Sequence, residues 1–159
     1  MRGADTDALA ETIQIKTADY GEIEVKRDSI LHFAGGLFAF EDERDFVIIN
    51  YEFAAPDSPI KCLQSVSGTV SFTIMDPFCF LPDYSPVLPE QEKKDLGCAD
   101  EADLRYFVIA VVSRPIQNTV VNLLCPIVIN TKNRRAAQVI LENPQYPMQY
   151  RIFASEEVT

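Results

Sequence analysis

Short extended segments follow one another along most of this chain, and they constrain its fold more than any other feature. Residues 11–16 (ETIQIK), 21–25 (GEIEV) and 70–75 (VSFTIM) alternate apolar with polar side chains. That period of two is typical of a β-strand with one face in the core and the other in solvent. Other runs of strand length lie at residues 29–33, 46–51, 60–66, 104–112, 119–124, 126–130 and 136–141. The pattern predicts about nine or ten short strands.

Helical signals are few. Residues 89–96 (PEQEKKDL) begin with a proline, are followed by Gly97 and place Glu90 four positions before Lys94, which predicts one surface helix. The acidic residues Glu41, Asp42, Glu43 and Asp45 are compatible with one further helical turn.

Strands that do not alternate with helices predict an all-β protein: a closed or nearly closed antiparallel barrel, or a two-sheet sandwich. At 159 residues the chain fits one domain. We expect a flexible N-terminal extension at 1–11, the barrel domain at 12–153 and a C-terminal tail at 154–159.

The most unusual segment comes directly after the strand at residues 70–75. Asp76-Pro77 ends the alternation, because proline has no N–H for the sheet. Residues 76–84 (DPFCFLPDY) then concentrate aromatic side chains and prolines. A loop of this composition either covers the core or presents an aromatic surface to a partner, and packing of apolar clusters is the commoner outcome.

Composition and charge argue against a membrane protein, a secreted protein and a nucleic-acid-binding protein. No apolar run approaches the roughly 20 residues needed to cross a bilayer, and residues 1–11 lack the apolar core of a secretory signal. We therefore expect a cytoplasmic protein that does not enter membranes. A net charge of −10 argues against direct nucleic-acid binding. The same charge favours basic protein partners, or serves solubility alone.

The residues that usually carry catalysis are scarce. His32 is the single histidine, and Cys62, Cys79, Cys98 and Cys125 show no close pairing, so the sequence predicts neither a metal site nor a disulfide. No phosphate-binding glycine motif occurs. The sequence thus predicts no catalytic residues and no cofactor, and the expected state of the cysteines is a buried free thiol.

Several motifs together resemble one known family. They are DPFCFLPDY at 76–84, LQSV at 63–66 and NLLCPIVINTKNRRAAQVIL at 122–141, with IQIKTADYGEIEV and HFAGGLFAFED before them. In this order they are similar to the flagellar assembly factor FliW family, over roughly residues 13–153.

The resemblance implies a small barrel-like protein that catalyses no reaction and binds two proteins in the cytoplasm, flagellin and the RNA-binding translational repressor CsrA. In that family CsrA blocks translation of the flagellin message, and free FliW sequesters CsrA. Accumulating flagellin occupies FliW and restores the block. Such a switch needs differential binding and no bond chemistry.

Three positions depart from the family pattern. Phe38-Ala39 stands where the family tends to carry Pro-Gly, Cys125 replaces a commonly small residue, and Ala137 replaces a common glycine.

The motif set also suggests partner-binding residues. We expect Phe78, Phe80, Pro82, Asp83 and Tyr84 to form a contact surface. Asn122 and Asn130 are candidates too, but a role in holding strand ends or a loop is the stronger expectation for both. The alternative functions are a small-ligand-binding barrel with an apolar interior pocket and a thiol enzyme that pairs His32 with Cys62, Cys79 or Cys125.

Overall fold

Extended strands dominate the computed structural model, which describes residues 11–17, 21–51 and 57–153. The predicted tail, and all of the predicted extension except Glu11, lie outside these residues. The strands are β1 (Thr12–Thr17), β2 (Gly21–Lys26), β3 (Leu31–Phe33), β4 (Asp45–Ile49), β5 (Ile60–Ser65), β6 (Ser71–Met75), β7 (Leu104–Val111), β8 (Val120–Val121), β9 (Ile127–Asn130), β10 (Arg135–Gln138) and β11 (Tyr150–Arg151). The described residues also contain the helix α1 (Glu90–Asp95) and 3-10 turns at Arg27–Ser29, Pro77–Cys79, Glu101–Asp103 and Ile116–Asn118.

Seven strands close into a barrel. Neighbouring strands follow the order β7, β6, β5, β4, β3, β10 and β9, and β9 pairs with β7 to complete the ring. The prediction of a β-barrel is confirmed, but the expectation of wholly antiparallel pairing is wrong, because β3 and β10 run parallel. A closed ring with an odd number of strands cannot alternate direction throughout, so at least one neighbouring pair must be parallel.

The barrel interior is filled by large apolar side chains. Phe33, Phe46 and Phe107 are fully buried there, and Phe33 and Phe46 meet edge to face with ring centroids 5.2 Å apart. Ile74 of β6 is also fully buried in this cluster, and Phe72 packs against it. The predicted inward face of β6 is therefore confirmed. Filling by side chains is the usual state of a barrel of this size.

Two further apolar layers pack on the outside of the barrel. The β1–β2 hairpin covers β4 through a cluster centred on Ile15, Ile30 and Val47. On the other side, residues 77–96 and the C-terminal segment cover the outer faces of β7 and β9, where Val108 and Val128 are fully buried. We call this second layer the outer cluster, and it contains the aromatic-proline segment.

Several local expectations need correction. The acidic residues 41–45 form no helical turn, since Asp45 already begins β4. The strand expected at 119–124 is reduced to Val120–Val121, and the one expected at 136–141 ends at Gln138. The predicted helix is confirmed, although Lys93 pairs with Glu90 at 3.2 Å and Glu101 at 2.6 Å in place of the expected Glu90–Lys94 pair. No helix of the described residues has the length and apolarity required to span a bilayer.

Candidate interaction site

The aromatic-proline segment begins with a capped turn. The Asp76 carboxylate accepts a hydrogen bond from the Phe78 backbone N–H at 3.0 Å, and Pro77 occupies the first position of the 3-10 turn. Asp is favoured before such a turn because its carboxylate accepts a hydrogen bond from a free N–H group. Pro is favoured at the first position because it has no N–H group that would be left unpaired there. The Leu81 N–H then donates to the Pro77 carbonyl at 2.9 Å, which folds the segment back onto itself.

Tyr84 anchors this segment to the barrel. Only 3% of its surface is exposed, and its hydroxyl donates to the Leu123 carbonyl oxygen at 2.6 Å. Burial raises the pKa of the Tyr84 phenol well above its usual range, and the nearby phenols of Tyr146 and Tyr106 raise it further. Tyr84 is therefore a neutral hydrogen-bond donor inside the outer cluster.

Aromatic rings surround this anchor. Phe78 meets Tyr84 edge to face at 5.7 Å and Tyr106 at 6.4 Å, and Tyr84 lies 4.8 Å from Tyr146. These centroid separations are those of favourable aromatic pairs. Phe80 makes a separate contact and stacks on Tyr150 at 6.2 Å.

The chain after Tyr84 is fastened to the C-terminal segment. The Asn143 amide bridges the Val87 N–H, at 2.7 Å, and the Ser85 carbonyl, at 3.1 Å. The Tyr146 hydroxyl accepts a hydrogen bond from the Ser85 N–H at 2.8 Å. Because both ends of the segment are tied down, its outer surface has a defined shape in the absence of a partner.

The two alternatives predicted for this segment apply to different residues of it. Tyr84 and Pro77 are buried, and Phe80 is half-buried. Phe78 remains 41% exposed, and Cys79, Pro82 and Asp83 are exposed beside it. The segment therefore covers the core with one side and presents an aromatic ring, a proline and a carboxylate with the other.

The two asparagines lie at different places in the fold. Asn122 follows β8, and its side-chain oxygen accepts a hydrogen bond from the Cys125 N–H at 2.9 Å. Asn130 ends β9, is 2% exposed and donates to the Leu96 carbonyl at 2.9 Å. Only Asn122 is near the aromatic segment, because it precedes the residue whose carbonyl binds Tyr84.

Three tyrosines complete the aromatic cluster, and the sequence reading did not select them. Tyr106 belongs to β7, whereas Tyr146 and Tyr150 come from the C-terminal segment. The signal was present in the aromatic and proline spacing of residues 146–150 (YPMQY), which repeats the character of residues 76–84. Burial also raises the pKa of Tyr106 to about 12.

The thiols and the histidine do not form a catalytic arrangement in the described residues. His32 is exposed, and its Nδ1 lies 2.9 Å from the Asp45 carboxylate. Cys62 and Cys125 are buried, as expected, whereas Cys79 is exposed, contrary to that expectation. Burial raises the pKa of the Cys125 thiol, which disfavours the reactive thiolate.

A cavity of about 680 Å³ lies outside the barrel, between the parallel β3–β10 pair and α1. Its lining combines Arg44 and Arg135 with Asp45 and Glu92. Burial and the neighbouring Asp95 raise the pKa of the Glu92 carboxyl. The cavity is charged and open, unlike the apolar interior pocket that the ligand-binding alternative requires.

Comparisons with known proteins agree on one family. Residues 14–152 match the family model described as FliW protein. The flagellar assembly factor FliW of Caldicellulosiruptor bescii is 35% identical over 140 residues, which is 87% of this chain and 90% of the relative. That of Geobacillus kaustophilus is 34% identical over 142 residues, which is 89% and 96% of the two chains. A crystal structure of the flagellar assembly factor FliW matches with a TM-score of 0.80 at 34% identity, over 89% of this chain and 97% of the other.

Proposed function

Because this chain belongs to the FliW family of flagellar assembly factors, we propose that it regulates flagellin synthesis by binding flagellin and CsrA in turn. In its free form it sequesters CsrA, so flagellin message is translated. When flagellin accumulates, flagellin occupies the protein and CsrA is released. The protein acts in the cytoplasm, where both partners are made, and it catalyses no reaction.

The observation that carries this proposal is the exposed side of the aromatic-proline segment. Phe78, Pro82 and Asp83 lie together in the motif that carries the family resemblance, and their backbone is held by Asp76 and Tyr84. Rigid aromatic side chains are the usual anchors of protein interfaces, because they bury a large area at little entropic cost. We therefore assign partner binding to this surface.

Charge supports the assignment of CsrA as one partner. The chain carries a net charge of −10, whereas a protein that binds RNA needs a positive surface to displace counterions. Opposite charges accelerate association and fix the orientation of the complex. Binding of CsrA should consequently weaken as salt is raised.

Calorimetric titration of the purified protein with flagellin and with CsrA tests the proposal. We expect both partners to bind, and we expect flagellin added to the CsrA complex to release CsrA. If neither partner gives a heat signal or co-elutes with the protein, the proposed function is wrong. If both bind and flagellin does not displace CsrA, the exchange mechanism is wrong.

Substitution of Phe78 tests the surface. Phe78→Ala should weaken binding of at least one partner by about tenfold or more, since exposed aromatic anchors contribute about 1–3 kcal/mol. The melting temperature should fall only modestly, because the ring is 41% exposed and the variant loses its edge-to-face contacts with Tyr84 and Tyr106. Phe80→Ala should lower both affinity and stability, because Phe80 stacks on Tyr150 in the outer cluster.

Val87→Ala is the matched control, since Val87 is 48% exposed and lies three residues beyond Tyr84. It should leave both affinities unchanged. Equal losses in Phe78→Ala and Val87→Ala, or none in Phe78→Ala, would place the interface elsewhere.

A further inference from the structure

The sheet continues past the barrel on one side, and this extension leaves an apolar face uncovered. The first half of β7 pairs with β9, but its end pairs with β8 at Ala110 and Val111. β11 then pairs with β8 on the far side. β7, β8 and β11 therefore form a short three-stranded sheet that extends beyond the closed ring.

One face of this extension is buried. Ala110, Val121 and Tyr150 lie opposite one another on the three strands. Directly paired residues point to the same face of a sheet. Ala110 is 7% exposed and Val121 1%, and Tyr150 packs with them in the outer cluster. This face of the extension is already covered by the protein itself.

The opposite face is open. Val111, Val120 and Arg151 are the next paired positions on the same strands, so their side chains project from the other face. Val111 is 60% exposed, Val120 is half-buried and Arg151 is exposed.

This open row continues from the barrel interior. Because Thr73 pairs with Ala110, Phe72 lies opposite Val111 on the neighbouring strand. On its other side, Phe72 pairs with the fully buried Leu63. The row thus runs from the buried Leu63 through the half-buried Phe72 to the exposed Val111. We call the surface formed by Phe72, Val111 and Val120 the apolar shelf.

The outer end of the shelf is cationic. Arg151 donates to the Gln117 carbonyl at 3.2 Å and to the Asn118 side chain at 3.0 Å, which ties β11 to the loop that carries Arg114 and the 56% exposed Ile116. Neither guanidinium forms an ion pair with a carboxylate among the described residues. The sequence around the loop is also positively charged, since residues 104–141 contain lysine and arginine but no aspartate or glutamate.

The inner end of the shelf is acidic. Phe40 packs edge to face on Phe72 at 5.5 Å and is 39% exposed. The exposed residues Glu41 and Asp42 follow it directly. A segment lying along the shelf therefore meets exposed carboxylates at one end and, at the other, Arg151 beside the loop that carries Arg114.

We propose that the apolar shelf binds a short amphipathic helix of a partner protein, with the acidic end of that helix on Arg114 and Arg151. The apolar side of the helix would cover Val111 and Val120. Guanidinium groups recognise carboxylates through paired hydrogen bonds, and within residues 11–17, 21–51 and 57–153 no carboxylate forms an ion pair with Arg114 or Arg151. Three intervals of about 4.8 Å between neighbouring strands separate Phe72 from Arg151, a span of roughly 14 Å, which is the length of about nine helical residues.

This surface is separate from the aromatic-proline segment, and its assignment does not rest on the binding of flagellin or CsrA. A chain with a net charge of −10 repels acidic peptides in general. Saturable binding of an acidic peptide at one place would therefore identify a local site.

The test uses NMR chemical-shift changes in the isotope-labelled full chain. The probe is a blocked peptide of about 15 residues in which leucines form one helical face and the glutamates are grouped at one end, long enough to be partly helical. We expect saturable changes centred on the amides of Val111, Val120 and Arg151 and on the loop between β7 and β8. Raising the salt concentration should weaken them.

Charge and apolar variants separate the two parts of the shelf. Arg114→Glu, in an exposed loop, should weaken peptide binding by about tenfold or more, and Val111→Ser should do so without a change of charge. Arg27→Glu is the matched control, since Arg27 is exposed on the hairpin side of the barrel, and it should leave peptide binding unchanged.

Other outcomes would overturn the proposal. The absence of shelf perturbations with the acidic peptide would do so, as would equal perturbation by a peptide carrying lysines in place of the glutamates. Shelf signals that shift with protein concentration alone would show instead that the surface contacts a second copy of the chain.

Discussion

At the scale of single residues, one turn holds a residue with a Cβ in a conformation that favours glycine. Ala39 has a φ of +70° in the turn between Leu37 and Phe40, a conformation that costs a residue with a Cβ roughly 1–2 kcal/mol. The family resemblance places glycine at this position, and the turn geometry explains that preference. The sequence shows the departure, while the structure shows what it costs.

Ala39→Gly should therefore stabilise the protein. The strain relieved exceeds the 0.4–1 kcal/mol of chain entropy that glycine adds to the unfolded state, so we expect the free energy of unfolding in urea to rise by about 0.5–1 kcal/mol. Ala34→Gly is the control, because Ala34 lies in the preceding turn without a positive φ. It should lower stability slightly, and a stability loss in Ala39→Gly would contradict the argument.

The buried phenol of Tyr84 should make stability sensitive to alkali. Its pKa is raised in the folded protein by burial, whereas a tyrosine in the unfolded chain ionises near pH 10. The unfolded state therefore loses this proton first, and the free energy of unfolding falls as the pH rises above about 10. Below that pH the contribution is fully present.

Urea unfolding between about pH 8 and pH 11 would measure this effect. Tyr84→Phe should be less stable at neutral pH by about 1–2 kcal/mol, because the Leu123 carbonyl loses its donor, and its alkaline decline should be shallower. Phe78→Leu alters the same cluster without removing a phenol and should retain the steeper decline. If the free energy of unfolding fell equally steeply with pH in Tyr84→Phe and in the parent protein, Tyr84 would not be the cause of the alkaline decline.

Among the elements, the helix α1 depends on hydrogen bonds from distant side chains. The helix has only six residues and no buried ones, too few to be stable alone. Its C-terminal carbonyls are bound by the turn between β9 and β10: Asn130 and Asn133 both donate to the Leu96 carbonyl, and Arg135 donates to the Asp95 carbonyl at 3.3 Å.

Asn130→Ala should consequently destabilise the protein by about 2–3 kcal/mol, because the buried side chain also accepts from the Lys132 N–H at 2.9 Å. Asn122→Ala removes one hydrogen bond, to Cys125, and should cost about 1 kcal/mol. Thermal unfolding would measure both changes. If either variant kept full stability and lost affinity for flagellin or CsrA, that asparagine would be a contact residue instead.

At the scale of the whole molecule, the hairpin packs on the barrel without extending its sheet. β1 and β2 form a two-stranded sheet that shares no strand pairing with the larger sheet in the described residues. Their attachment depends on the cluster around Ile15, Ile30 and Val47. Isolated hairpins are marginally stable, so this unit should open without unfolding of the barrel.

Amide hydrogen exchange would test this independence. Paired amides of β1 and β2 should exchange at least about tenfold faster than those of Phe107 and Val128, which require global opening. Val47→Ala should accelerate exchange in the hairpin more than in β7. Equal protection of hairpin and barrel would show that they unfold together.

Most strands, the helix and the turn at residues 76–77 could be predicted from the sequence, because residues close together in the chain determine them. Alternation predicted β1, β2 and β6, and runs of strand length predicted most of the others. Pro89 and Gly97 bounded the helix, and the order of short motifs indicated the family. The segment 76–84 was singled out by its composition, and its turn follows from Asp76 and Pro77 alone.

Tertiary structure decided what depends on residues distant in the chain. The parallel β3–β10 pair follows from closing a ring of seven strands, and no local pattern encodes that number. The division of residues 76–84 into a buried Tyr84 and an exposed Phe78 depends on Tyr106, Tyr146 and Leu123, which come from distant parts of the chain. Composition shows that an aromatic segment must pack, but only the packed molecule determines which ring faces solvent.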